Sequence, residues 1–237
     1  MLSNRRTAGK AGRTALLAGG TGLVGASLLE ALLAADDVAS VHLLVRRPPG
    51  RRHRKLVVHV VDFDALAGWR AFPEVDDVYC CLGTTIRAAG SQAAFRKVDY
   101  DYVVSVARLA HARGASRLAV VSAMGAQPRS AVFYNRVKGE MEEALRGLGY
   151  ASLTLVRPSL LAGERRESRP GERLALALAR PLAPLIPGKY RAIPAEAVAR
   201  AMLHFVREGA RGTHVVESDR LQAFVGGSGL AAGAGKT

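Results

Sequence analysis

The chain has 237 residues, of which 49% are hydrophobic, so it can form one domain with a substantial core. The formal net charge of +14 is compatible with nucleic-acid or anionic-membrane partners. However, about half of the excess lies in residues 1–60 and the rest is dispersed, so nucleic-acid binding is not the expected role. No apolar run approaches the roughly 20 residues of a membrane span, so no membrane partner is expected.

The cysteines and histidines argue against a disulfide and a metal site. Cys80 and Cys81 are adjacent in the sequence. Adjacent cysteines rarely form a structural disulfide, so we expect a reduced, cytoplasmic protein. The six histidines lie far apart without metal-ligand spacing.

The first predicted unit is a strand over 14–18, a glycine turn and a helix that continues through Leu33. Its glycines recur at every third position. The first permits a sharp turn, the second lets a pyrophosphate approach the backbone, and the third lets helix and strand pack closely. The free amides at the start of the helix then bind the diphosphate, although such turns also occur as purely structural corners. The candidate cofactor contacts here are Gly19, Thr21, Gly22, Leu23, Val24 and Gly25.

The second predicted strand, 40–46, ends in a pair of arginines, Arg46 and Arg47. Folds that prefer NAD usually carry an acidic residue here, which binds the ribose 2′-hydroxyl. Guanidinium groups instead pair with a 2′-phosphate, so NADP(H) is the expected cofactor. The alternative is that both arginines belong to an exposed basic loop.

The third and fourth predicted strands cover 56–61 and 75–82. Their carboxyl ends face the ligand crevice of a doubly wound sheet. An acidic residue after the third strand would meet the adenine amino group, although a strand-end Asp is also a common turn former. A glycine after the fourth strand permits close approach of the cofactor. The candidate contacts at these ends are Asp62, Phe63, Leu82, Gly83 and Thr84.

The candidate catalytic residues are Ser122, Tyr134 and Lys138. A long helix is predicted over 91–113, and the fifth strand, 117–122, ends in the serine. Tyr134 and Lys138 are four residues apart and share one face of the next helix. An ammonium group near the phenol stabilises phenolate, so Tyr134 can act as a general acid or base. Both residues would also contact the cofactor, although a Tyr-x-x-x-Lys pair also occurs by chance on solvated helix surfaces.

The last predicted elements lie between residues 152 and 217. A sixth strand, 152–156, precedes a loop that is expected to close over the nicotinamide. The segment 164–194 is expected to cover the substrate, and a helix over 195–207 and a strand over 212–217 follow. The candidate contacts in the loop are Pro158, Ser159 and Leu160.

These elements predict an α/β fold with a doubly wound parallel sheet, that is, a Rossmann NAD(P)-binding fold with a small C-terminal substrate-covering insertion. We expect a flexible basic arm over 1–13, a single domain over 14–218 and a disordered tail over 219–237.

Several stretches resemble the atypical short-chain dehydrogenases/reductases of the Tat-interacting-protein type, an NAD(P)H-binding oxidoreductase family with bacterial homologues. They are 81–85, 98–103, 137–140, 157–158, 167–172 and 198–202. The resemblance implies an NADPH-binding Rossmann fold with a Ser-Tyr-Lys site, here Ser122, Tyr134 and Lys138. The chain departs from the pattern at Asp99, where better-characterised short-chain enzymes have Asn, and at Ala123, where relatives often have a second serine.

The leading hypothesis is an NADP(H)-dependent oxidoreductase that acts on a small carbonyl or alcohol substrate. The alternatives are an NADPH-binding regulatory or assembly protein with little turnover and a sugar-nucleotide epimerase or dehydratase. The sequence leaves open the substrate, which residues 164–194 would select, and the choice between a monomer and a homodimer.

Overall fold

A computed structural model describes residues 12–162 and 190–226. Within these ranges, seven strands form one sheet in the order β3-β2-β1-β4-β5-β6-β9, and every neighbouring pair is parallel. Strands β7 and β8 form a separate parallel pair. The strands are β1 (Arg13–Ala18), β2 (Val38–Val45), β3 (Leu56–Val60), β4 (Asp77–Cys80), β5 (Arg117–Val121), β6 (Ser152–Arg157), β7 (Leu161–Ala162), β8 (Ile193–Pro194) and β9 (Gly212–Glu217).

Helices connect most of the neighbouring strands of the described chain. A π-helical turn, Lys97–Tyr102, joins α3 to α4. Short 3₁₀ turns occur at Leu66–Gly68 and Gln222–Phe224. The helices are α1 (Leu23–Ala34), α2 (Ile86–Ala89), α3 (Gln92–Arg96), α4 (Val103–Ala112), α5 (Phe133–Arg146), α6 (Ala195–Glu208) and α7 (Ser218–Leu221).

The central strands β1, β4, β5 and β6 are buried on both faces, which is why they are nearly continuous apolar runs. Successive side chains of a strand point to opposite faces. In β1, Leu17 therefore packs with the cluster beneath α1 and α6, whereas Leu16 packs with the cluster beneath α4 and α5. The predicted doubly wound fold is confirmed.

The strand order reverses between β1 and β4, which are neighbours although β2 and β3 lie between them in the chain. At such a switch point the carboxyl ends of the two strands diverge into connections on opposite faces and leave a crevice. The glycine turn after β1 and the loop after β4 border this crevice. The candidate site therefore lies at this edge of the sheet.

Two predicted boundaries are wrong. Arg13 is not part of a flexible arm but begins β1, because its guanidinium binds the buried carboxylate of Asp77, with Nη2 2.6 Å from Oδ1. The predicted disordered tail begins too early, because Leu221 and Phe224 are buried in the core. Arg200 also donates to the Phe224 carbonyl oxygen.

Other predicted segments lie wholly or partly outside the described residues: positions 1–11 of the arm, 164–189 of the substrate-covering segment and 227–237 of the tail. Within the described ranges, no helix has the length and apolar character needed to span a membrane.

Candidate active site

Two glycines of the turn after β1 have no room for a side chain. Gly19 has φ of +84°, and a Cβ there would lie 2.4 Å from the carbonyl carbon of Cys81. A Cβ at Gly25 would lie 2.1 Å from the Gly19 carbonyl oxygen. In contrast, the nearest atom to a Cβ at Gly22 would be 3.5 Å away. The turn and the helix contact therefore require Gly19 and Gly25, whereas Gly22 leaves open space in front of the backbone.

The amino end of α1 is available to an anion. Gly22 is the N-cap, no side chain in the described part of the chain caps the helix, and its first turn has no acidic residue. Thr21 and Gly22 are exposed, Leu23 is half-buried, and Val24 and Gly25 are buried. The uncapped amides and the positive end of the helix dipole suit a diphosphate.

The basic side chains of the loop after β2 differ in whether they are paired with another group. Arg51 is paired with Glu30, with Nη2 2.8 Å from Oε2, and Lys55 is buried and donates to a backbone carbonyl 2.6 Å away. Arg46 and Arg47 are exposed, and neither has a hydrogen bond or ion pair within the described ranges. A phosphate could therefore reach Arg46 and Arg47, and also Arg52 and Arg54 of the same loop, which are exposed as well.

The two candidates after β3 have different environments. Asp62 is exposed, and its Oδ1 accepts the Asp64 backbone N–H at 2.9 Å, which is the turn-forming alternative. The ring of Phe63 is buried, 5.3 Å from the ring of Tyr102, so its side chain belongs to the core. The side chain of Phe63 is therefore not available to a cofactor.

The segment after β4 leads directly to a buried carboxylate. Leu82 is half-buried and Gly83 is exposed. The Thr84 backbone N–H donates to Asp99 Oδ2 at 2.9 Å. A Cβ at Gly83 would lie 3.4 Å from Asp99 Oδ1 and 3.8 Å from Lys138 Nζ. Gly83 therefore covers these two groups closely.

Helix α5 presents Tyr134 and Lys138 on one face. The Tyr134 ring is half-buried and packs 5.3 Å from the ring of Phe95. Lys138 Nζ lies 2.7 Å from Asp99 Oδ1, and the two side chains are 4% and 1% exposed. The contact is a buried ion pair at short range. The structure thus joins the candidate lysine to Asp99.

Burial and charge act oppositely on Lys138. Burial by itself lowers the pKa of the ammonium, because it penalises the charged form. The Asp99 carboxylate raises it, with smaller contributions in the same direction from Tyr134 and Cys80, and the net pKa is raised above its ordinary value. Lys138 is therefore a charged ammonium at neutral pH.

Ser122 is buried in a different network. Its hydroxyl donates to Glu142 Oε1 at 2.6 Å. Glu142 is 1% exposed and also accepts from Arg157, at 2.9 Å from Nε and 2.6 Å from Nη2. The network raises the pKa of Arg157. Since the only hydroxyl hydrogen of Ser122 is committed to Glu142, Ser122 is not a free donor to a substrate.

The loop after β6 is held from two sides. Pro158 is buried, and the Ser159 N–H donates to Ser218 Oγ at 3.2 Å. Ser159 Oγ donates to the Arg191 carbonyl at 2.6 Å, whereas Leu160 is 62% exposed. These bonds fix the loop at the carboxyl edge, beside β7 and β8.

The sequence of this chain is similar to those of known proteins. The chain matches the family described as NAD(P)H-binding over residues 19–208. The chain belongs to this NAD(P)H-binding family. It is 36% identical to protein HTATIP2 of Rattus norvegicus over 196 residues, which is 81% of this chain and 80% of the relative. The expected resemblance is thereby confirmed.

Two further similarities add detail. The chain is 32% identical to the mitochondrial protein FMP52 of Coccidioides immitis over 169 residues, 66% of this chain and 69% of the relative. Its fold is similar to that of the Bordetella bronchiseptica enzyme WbmF in complex with NAD⁺, with a TM-score of 0.64 and 16% identity over 91% of this chain and 78% of that one. That similarity shows the fold alone.

Sequence reasoning left out two residues of this NAD(P)H-binding domain. Glu142 follows Lys138 by four positions and therefore shares its helix face, which is a signal that periodicity carries. Asp99 was noted only as a departure from Asn. Its pairing with Lys138 joins a π-helical turn to another helix, and no local pattern indicates it.

Proposed function

We propose that this protein is an NADP(H)-dependent oxidoreductase that acts on a small carbonyl or alcohol substrate. The observation that carries the proposal is the buried Lys138 ammonium. It lies beneath Gly83 at the carboxyl edge of the sheet and shares a helix face with Tyr134. A tyrosine and a charged lysine on one face suit proton transfer to or from a reacting oxygen.

The residues around the crevice fit an NADP(H) molecule. The uncapped amides of α1 suit the diphosphate, and the open backbone at Gly22 lets it approach. Arg46 and Arg47 suit the 2′-phosphate, because guanidinium groups bind phosphate with charge-assisted hydrogen bonds. The remaining proposed contacts are Asp62, the backbone at Phe63, Leu82, Gly83, Thr84, Pro158, Ser159 and Leu160.

The chemistry divides between cofactor and protein. When bound, the nicotinamide supplies or accepts a hydride. Tyr134 Oη gives a proton to the substrate oxygen in reduction and takes one in oxidation. Lys138 holds positive charge beside it and donates to the nicotinamide ribose. Ser122 supports α5 through Glu142 and would polarise a carbonyl only after releasing that bond.

Turnover of a panel of aldehydes and ketones with NADPH tests this mechanism. Tyr134→Phe removes the proton donor, and we expect at least a 100-fold loss in kcat. Tyr102→Phe is the matched control, because that hydroxyl donates to the exposed Asp64. Equal turnover by Tyr134→Phe and wild type would show that the phenol has no catalytic role.

A second function is favoured by the Ser122–Glu142 bond, which removes the usual serine donor. This second candidate is a protein that binds NADPH, has little catalytic turnover of its own, and regulates a partner or helps to assemble it. Pull-downs with and without NADPH test it. A partner whose capture changes at least tenfold with NADPH supports regulation, and capture that is independent of NADPH counts against it.

The proposed location is a reducing compartment, the cytoplasm. Cys80 is a buried free thiol whose pKa burial raises to about 11, and Cys81 is also free. Such thiols are unreactive and need no oxidising environment. A fluorescently tagged chain that accumulates in another compartment would contradict this placement.

A further inference from the structure

The buried carboxylate of Asp99 makes two contacts, and both lead into the candidate site. Asp99 lies in the π-helical turn Lys97–Tyr102, a kind of turn that is frequent at functional sites. Its Oδ2 accepts the Thr84 backbone N–H at 2.9 Å. Its Oδ1 lies 2.7 Å from Lys138 Nζ. Asp99 therefore joins the segment after β4 to helix α5.

Asp99 is the counter-charge of Lys138. The groups that face the ammonium are Asp99 from the π-helical turn, Tyr134 from α5, Cys80 from β4 and the Val121 carbonyl of β5 at 3.5 Å. Of these, Asp99 is the carboxylate. A buried ammonium without a counter-charge is strongly unfavourable, because desolvation is not repaid. Without Asp99, Lys138 would be driven toward its neutral form.

The partners of Asp99 leave it buried beside the candidate site. Its Oδ1 is fully buried and is paired with the Lys138 ammonium at 2.7 Å. Gly83 lies over the pair, since a Cβ there would be 3.4 Å from Oδ1. Both oxygens of the carboxylate thus contact groups of the candidate site, Lys138 and the backbone of Thr84. This places the negative charge of Asp99 next to the proposed cofactor contacts Gly83 and Thr84.

We propose that Asp99 is a positioning residue for the reaction proposed above, on which this inference rests. It keeps the Lys138 ammonium charged and fixed beneath Gly83, and it holds Thr84 against the same pair. Asp99 touches neither substrate nor cofactor and acts through Lys138. The charge of the lysine is thereby set before the nucleotide binds.

The first test follows the protonation of Lys138 by NMR of protein carrying ¹³Cε-labelled lysine, with the signal assigned by Lys138→Arg. Asp99→Asn keeps the shape of the side chain and removes its charge. We expect wild-type Lys138 to stay charged beyond pH 10. In Asp99→Asn, the titration midpoint should fall by at least two pH units, a 100-fold loss of proton affinity. An unchanged midpoint would overturn the inference.

The matched control is Asp101→Asn, which removes the same charge from an exposed position of the same turn and should leave the Lys138 titration as in wild type. An equal shift in this control would overturn the specific role of Asp99. Should Asp99→Asn not fold, Asp99→Glu keeps the charge. Its Lys138 should remain charged as in wild type, and a neutral lysine there would contradict the inference.

The second test is NADPH affinity between pH 7 and 9.5. The NADPH affinity of wild type should vary less than threefold over this range, whereas that of Asp99→Asn should fall at least tenfold as Lys138 loses its proton. Equal profiles would overturn the positioning role. If neither protein binds NADPH, the proposed function fails, and the NMR titration still decides whether Asp99 sets the charge of Lys138.

Discussion

Gly25 lies so close to Gly19 that a Cβ at Gly25 would be 2.1 Å from the Gly19 carbonyl oxygen. Because the backbone fixes the position of a Cβ and the oxygen is itself a backbone atom, neither can rotate away. We expect Gly25→Ala to lower the free energy of unfolding by about 1–3 kcal/mol through overpacking. Urea unfolding followed by circular dichroism measures this loss.

Gly22→Ala separates folding from binding at the same turn. The nearest atom to its Cβ would be 3.5 Å away, an ordinary contact. We expect stability within about 1 kcal/mol of wild type, the cost of Ala at an N-cap. NADPH affinity should fall at least tenfold, because the methyl group occupies the space of the diphosphate. Unchanged NADPH affinity in this variant would refute the proposed place of the diphosphate.

Glu142→Gln tests the buried network that holds Ser122 and Arg157. The substitution leaves the Arg157 guanidinium without its main counter-charge, and we expect a loss of about 3 kcal/mol in the free energy of unfolding. Glu143→Gln, exposed at the next position of α5, should change stability by less than about 0.5 kcal/mol. Similar losses in both variants would contradict the importance of the network.

His42 and His59 predict a pH dependence of stability. Their rings stack, with His42 Nδ1 2.9 Å from His59 Nε2, and burial lowers the pKa of both below 6.5. Below about pH 6.5, these histidines therefore bind more protons in the unfolded chain than in the folded one. The stability that they contribute above that pH is lost as the pH falls through their lowered pKa values in the folded protein. Between pH 7 and 5, the free energy of unfolding should decline less in His59→Gln than in wild type. An equal decline would exclude the pair as its source.

Gly83→Ala tests how closely the proposed cofactor passes the ion pair. Its Cβ would make ordinary contacts of 3.4 Å and 3.8 Å with Asp99 Oδ1 and Lys138 Nζ. The fold should therefore be unaffected. We expect at least a fivefold loss of NADPH affinity by calorimetry, because the methyl group stands where the cofactor approaches. Wild-type affinity would place the cofactor away from Gly83.

The features that the sequence predicts well are local. The glycine spacing predicts the turn at Gly19 and the helix contact at Gly25, because the positive φ of Gly19 and the contact between Gly25 and Gly19 both belong to one strand-turn-helix unit. The four-residue separation places Tyr134 and Lys138 on one face of a helix. The apolar runs predict the parallel sheet, because strands buried on both faces carry few polar residues.

The features that the sequence does not predict depend on contacts between distant segments. Ser122 meets Glu142, and Asp99 meets Lys138, only once the strands and helices have packed together. Phe224 similarly joins the core from a stretch whose Gly-rich composition suggested disorder. In each case tertiary packing decides the environment of the residue, because its local sequence pattern is compatible with several environments.

Calorimetric titration with NADPH and NADH, of wild type and Arg46→Asp, measures whether this protein binds NADP(H) in preference to NAD(H). Arg52→Asp, exposed in the same loop, is the control for a general loss of positive charge. We predict that wild type binds NADPH at least tenfold more tightly than NADH. Arg46→Asp should lose this preference, since a charged hydrogen bond contributes about 1.5–3 kcal/mol, and Arg52→Asp should keep it. Absence of binding to either nucleotide would contradict the proposed oxidoreductase, and equal affinities in wild type would contradict its NADP(H) specificity.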